Sequence, residues 1–137
     1  MNSKWVELTE SFEGLKLKPY MCPAGKLTIG YGHNLDDNGI TQEVAEILLK
    51  TDLAHARMEV TAKLPFIGKL SEARQFVLVD MCFNMGISRL MTFKKMLAAL
   101  ERGDYKTAAK EMLDSRWAFQ VKNRAVKLAE MMKTGEY

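Results

Sequence analysis

Residues 12–33 read FEGLKLKPYMCPAGKLTIGYGH, and the hydrophobic period changes inside this stretch. Up to Gly14, residues Trp5, Leu8, Thr9 and Phe12 recur at i, i+3, i+4 and i+7, the spacing of one helix face. Ser3 is placed to cap that helix and Gly14 to end it. From Leu15 the period is two: Leu15 and Leu17 alternate with Lys16 and Lys18, and Leu27, Ile29 and Tyr31 alternate with Lys26, Thr28 and Gly30. Pro23, Ala24 and Gly25 supply a turn between two strands. With those three as the loop, Cys22 faces Lys26 and Tyr20 faces Thr28, so Cys22 and Thr28 are diagonal neighbours on one face of a hairpin. Lys16, Lys18 and Lys26 fall on that same face, as cations able to favour the thiolate of Cys22.

Working outward, an Asn38-Gly39 turn leads to Thr41, which opens a long helix with Val44, Ile47, Leu48, Thr51, His55 and Met58 on one stripe, ended by Pro65. On that stripe His55 reads as a hydrogen-bonded core histidine. The segment ARQFVLVDMCFNMG, residues 73–86, is apolar nearly all round, as for a central helix buried on every side and closed by Gly86, with Cys82 and most methionines as core filler. Thr92 is placed to cap a helix carrying Phe93, Met96, Leu97 and Leu100, and Asp104 to cap the next, with Ala108, Ala109, Met112 and Leu113 inward. A last helix carries Ala125, Leu128, Ala129 and Met132. The expected class is α+β, mainly α: a small N-terminal β-hairpin lobe joined by a long helix to a C-terminal helical bundle of about four shorter helices. The 137 residues suit a single domain of two lobes, about 14–62 for the hairpin and connecting helix, and 1–13 with 63–137 for the helical lobe, with a cleft between them.

An apolar fraction of 47% is enough for an ordinary core. No run approaches the length of a membrane span, and the start MNSKWVELTESFEG alternates charged and apolar residues, so the expectation is a soluble chain that begins in the cytoplasm. Two cysteines in such a chain suit free thiols, and neither has a second Cys or His at ligand spacing, so no metal or cofactor is expected. Charge is uneven: residues 1–88 carry nine Lys/Arg against eleven Asp/Glu, and residues 89–137 carry eleven against six. A basic C-terminal half attracts an acidic partner: nucleic acid, anionic membrane or a carboxylate-bearing polymer such as a bacterial cell wall. The hairpin lacks the interleaved aromatic and basic residues of nucleic-acid surfaces, which argues against the first.

Glu13 is the one carboxylate in residues 12–33 and lies on the last turn of its helix, where the negative end of the helix dipole disfavours ionisation, as suits a general acid. The spacing Glu13, eight residues, Cys22, five residues, Thr28, then IGYGH resembles the phage-type lysozymes of glycoside hydrolase family 24, in the form that has Cys where Asp is usual. FNMG at 83–86, ALERGDYKTAAKEM at 99–112, SRW at 115–117 and NRA at 123–125 extend the resemblance over nearly the whole chain. About seven residues separate His33 from the long helix, fewer than in the largest members, so a trimmed hairpin lobe is expected.

The resemblance implies a lysozyme-like fold and an endolysin-type muramidase. It implies that Glu13 protonates the glycosidic oxygen between N-acetylmuramic acid and N-acetylglucosamine, and that Cys22 and Thr28 hold a water on the opposite face. It further implies that His33 braces the hairpin, that Arg124 pairs with the acid, and that Tyr20, Asn84 and Trp117 support or bind substrate. The implied partner is the peptidoglycan glycan strand, with no nucleic acid, no stable membrane insertion and a monomeric state. The implied location is the host bacterial cytoplasm, with action on the wall after release. Two other readings stand beside hydrolysis. A lytic transglycosylase needs only one carboxylate, because the sugar's own 6-hydroxyl attacks, and a silent wall-binding protein would keep the lobes without turnover.

Overall fold

The computed structural model describes residues 1–137, which form two compact units, Met1–Ile47 and Leu48–Tyr137. The fold is mainly helical with one small antiparallel sheet, the α+β class expected from the change of period at Gly14.

In the first unit, α1 spans Ser3–Glu13. Its cap is Asn2, whose side chain accepts from the Lys4 amide, and Ser3 is the first helical residue; either side chain can cap, and the chain uses the earlier one. Gly14, at φ 71°, ends the helix as expected. Strands β1 (Lys16–Met21), β2 (Leu27–Gly30) and β3 (His33–Asn34) form a sheet in the order β1-β2-β3. Tyr20 pairs with Thr28 and Met21 with Leu27, the register read from the sequence. Strict alternation fails lower down β1, where Lys16 pairs with Gly30, so three residues on β1 lie opposite Ile29 alone. Pro19 falls in that irregular stretch; it has no N–H to give a ladder and so suits a bulge. Helix α2 (Leu35–Asn38) replaces the simple Asn-Gly turn and is capped by Asn34. Its Asp36 carboxylate accepts from the Leu27 amide at 2.6 Å and Asp37 meets Lys26 Nζ at 3.0 Å, which ties α2 to the start of β2.

Helix α3, Gln42–Lys63, begins in this unit, with the Thr41 hydroxyl accepting from the Val44 amide. In the second unit its buried residues are Ala56 and Val60, not the stripe through His55 and Met58. His55 is therefore no core histidine: its side chain is 64% exposed and lies 3.3 Å from Glu59 one turn on. Small and β-branched residues let the helix approach its neighbours closely, whereas an imidazole at the surface keeps its hydration.

After a 3-10 turn at Ile67–Lys69 come α4 (Glu72–Met85), α5 (Ile87–Leu90), α6 (Lys94–Glu101), α7 (Tyr105–Leu113), α8 (Arg116–Val121) and α9 (Asn123–Thr134). The bundle thus has six helices where about four were expected, because α5 and α8 are too short to show a period. Helix α4 buries Ala73, Val77, Leu78, Met81 and Cys82, but Phe83 stays 39% exposed, so the helix is central without being covered all round. Thr92 does not cap α6; its hydroxyl donates to the Arg89 carbonyl and Phe93 holds the cap position. Asp104 does cap α7, accepting from the Thr107 amide. Ala108, Ala109 and Met112 point inward as expected, while Leu113 is 48% exposed. Ala125, Leu128, Ala129 and Met132 of α9 are all buried. Together with Leu78, Leu90, Met96, Leu100 and Trp117 these residues make the core.

Candidate functional site

Glu13 is the last residue of α1, and Gly14 turns the chain into β1 by leaving the helix at positive φ. The Glu13 carboxylate then lies against the backbone of Gly32, in the turn between β2 and β3. No β-carbon stands between them.

Cys22 sits at the other end of the hairpin. Its amide donates to the Lys26 carbonyl at 2.9 Å and its carbonyl accepts from the Gly25 amide at 2.8 Å, closing the turn that Pro23, Ala24 and Gly25 were expected to make. The thiol pKa is lowered, first by the Lys26 amide, against a smaller opposing effect of burial, and then by the Ala24 amide, the Thr28 hydroxyl and the Gly25 amide. Backbone donors converging in a tight turn therefore favour the thiolate, in place of the lysine side-chain charges expected from the strand pattern. Lys26 contributes through its amide; its ammonium is on Asp37.

Thr28 is 3% exposed, the one buried polar residue of the chain. Its hydroxyl lies 2.8 Å from the Lys26 carbonyl and also acts on the Cys22 thiol, so its single proton serves one of these two acceptors at a time. Tyr20 stands across β1 and β2 from Thr28. His33, paired with Ile29 on β3, uses Nε2 on the Gly39 carbonyl. A carbonyl can only accept, so Nε2 carries the proton and the ring links the sheet to the end of α2.

The remaining expected residues belong to the second unit. Trp117 is 1% exposed, with its ring edge-on to Phe93 at 6.2 Å between centroids, and its Nε1–H donates to Asn84 Oδ1 at 2.8 Å. Trp117 is thus a core residue, hydrogen-bonded to Asn84, which is exposed. Arg124 makes a two-pronged contact with Asp80, Nε to Oδ2 and Nη2 to Oδ1, each 2.9 Å. This pairing raises the guanidinium pKa, chiefly through the hydrogen bonds to Asp80. Sequence reasoning assigned Arg124 the acid, Glu13, as its partner and passed over Asp80, the carboxylate it meets here. The signal was present: Asp80 is the one charged residue in the run FVLVDMCF, and an acid in an otherwise apolar helix calls for a buried or half-buried cation. Gly32 was missed too, because no spacing rule marks a glycine by what rests on it.

Comparison with known proteins gives the family. Residues 10–132 match the family described as Phage lysozyme. The chain is 35% identical over 124 residues to an endolysin of Acyrthosiphon pisum secondary endosymbiont phage 1, covering 86% of this chain and 80% of that protein. It is 30% identical over 164 residues to probable T4-type lysozyme 1 of Dictyostelium discoideum, covering 98% of this chain and 96% of that one. It is also 29% identical over 162 residues to the pre-baseplate central spike protein Gp5 of Enterobacteria phage T4, where it spans only 28% of the longer chain.

Proposed function

Since the chain belongs to the phage lysozyme family, we propose that it is an endolysin-type muramidase that hydrolyses the β-1,4 bond between N-acetylmuramic acid and N-acetylglucosamine in peptidoglycan. The observation that carries this reading is the hairpin, which places Cys22 and Thr28 on one face immediately after the helix that ends in Glu13. Glu13 donates its proton to the glycosidic oxygen, so the leaving sugar departs as a neutral alcohol. Water attacks the anomeric carbon from the opposite face, and configuration inverts. The Thr28 hydroxyl oxygen accepts one hydrogen of that water and sets its orientation. The Cys22 thiolate, favoured by the turn amides, takes the second proton and fills the role a carboxylate has elsewhere in such pairs. His33 holds the sheet to α2 and takes no part in proton transfer. In the second unit Asn84, backed by Trp117, offers an exposed amide to the glycan, and Asp80 fixes the Arg124 guanidinium.

The division of the chain that accompanies this reading is one lysozyme-like domain of two lobes, acting as a monomer on peptidoglycan strands from within the host cell once released to the wall. No helix is long and apolar enough to cross a membrane. A second reading, lytic transglycosylation, is favoured by one observation, the thiol at position 22 in place of a second carboxylate. Mass spectrometry of fragments released from purified peptidoglycan separates the two. Hydrated reducing muramic acid ends are expected from the wild type. Glu13→Gln should release at least about 100-fold less, the usual contribution of a positioned general acid. Anhydro ends, one water lighter, would transfer the attack to the sugar hydroxyl, and an active Glu13→Gln variant would remove the acid assignment.

A further inference from the structure

We propose that Gly32 is a positioning residue, whose missing side chain leaves the seat in which the Glu13 carboxylate rests. The proposal deepens the assignment of Glu13 as the acid and rests on it. A β-carbon on Gly32 would lie 2.5 Å from Glu13 Oε2, 2.8 Å from its Cδ and 3.4 Å from its Cγ. Unbonded heavy atoms settle at about 3.5–4.0 Å, so the carboxylate in its present place and a side chain at position 32 exclude one another.

Positive φ does not account for this glycine by itself. Gly30, two residues earlier, has φ +70°, close to the +74° of Gly32, and a β-carbon there would meet nothing within 4 Å. Positive φ is common to the two positions, and only at Gly32 is a side chain also met by the acid. What yields at Gly32 is the far end of a flexible, exposed side chain, not backbone, so the fold can absorb a methyl group there by moving Glu13. The carboxylate would have to retreat by about 1 Å to restore an ordinary contact. A misplacement of that size costs a reacting group on the order of 100-fold in rate. The loss should appear in turnover and leave stability close to that of the Gly30 variant.

The test compares Gly32→Ala, Gly30→Ala and Glu13→Gln for thermal melting and for kcat and KM on soluble glycan strands. Gly32→Ala and Gly30→Ala should melt within a few degrees of one another with similar KM, while kcat of Gly32→Ala falls about 100-fold below that of Gly30→Ala. Gly32→Asn carries the same β-carbon at lower strain, because asparagine tolerates positive φ, and should show the same loss of kcat even if the alanine variant melts early. Equal kcat in the Gly32 and Gly30 variants, with Glu13→Gln inactive, would overturn the role of Gly32 and leave the acid assignment standing. An active Glu13→Gln would remove the acid assignment, and the seat with it.

Discussion

Replacing Asp80 by alanine tests the one ion pair that the helical unit builds into its interior. Asp80 is only 15% exposed on α4 and makes two 2.9 Å hydrogen bonds to Arg124 on α9, whose side chain is 38% exposed. A hydrogen bond to a charged group in the interior contributes about 1.5–3 kcal/mol, which would give about 3–6 kcal/mol for two fully buried bonds. The guanidinium is more than one-third exposed, so water replaces part of what Asp80 supplies, and exposed pairs contribute only about 0–1 kcal/mol. A value between these limits, about 2 kcal/mol, is expected for Asp80→Ala. For a chain of this length that lowers Tm by about 8 °C. The assay is urea unfolding of wild type, Asp80→Ala, Arg124→Ala and the double variant, with the coupling energy taken from the cycle. A coupling of about 1.5–2 kcal/mol is expected, since each partner is hydrogen-bonded to the other through both of its prongs. A coupling below about 0.5 kcal/mol would refute the reasoning, because the pair would then behave as an ordinary surface salt bridge despite the burial of Asp80.

Trp117→Ala should destabilise the protein by about 3–5 kcal/mol in the same assay, as for a fully buried aromatic; Asn84→Ala, which orphans the indole N–H, should cost about 1–3 kcal/mol, and no effect from either would deny Trp117 its core role. Cys22 should be alkylated by iodoacetamide well before Cys82, because turn amides favour the Cys22 thiolate while burial, and then Glu59, push the Cys82 thiol up. The sign for stability follows: a folded pKa below the unfolded one adds stability that is present above the unfolded thiol value and is lost as pH falls through the lowered value. Alkylation at Cys22 that left the hydrolysis rate unchanged, with the adduct verified by mass spectrometry, would make that thiol a bystander.

The sequence carried the fold class because hydrophobic period is a local property. The change from helical spacing to alternation at Gly14 located α1 and the hairpin, and Pro23, Ala24 and Gly25 fixed the loop length, from which the pairing of Tyr20 with Thr28 followed. Caps were legible where a side chain had one available amide, as at Asp104, and were misplaced by a residue or lost where neighbours competed, as at Ser3 and Thr92. His55 was misread because a helical stripe says which residues share a face and not whether that face is covered.

Sequence by itself determined the family, the helix–hairpin start, the residues Glu13, Cys22 and Thr28 at their spacing, and the inward face of α9. Tertiary structure alone decided which groups touch across distant positions: Asp80 with Arg124, Asn84 with Trp117, and the Glu13 carboxylate with Gly32. It also decided that backbone amides, and not lysine charges, act on the Cys22 thiol. The physical reason is range: periodicity and turn chemistry are set by residues within a few positions of each other. Hydrogen-bond partners and steric seats depend on where the chain returns after 19, 33 or 44 residues, and only packing fixes that return.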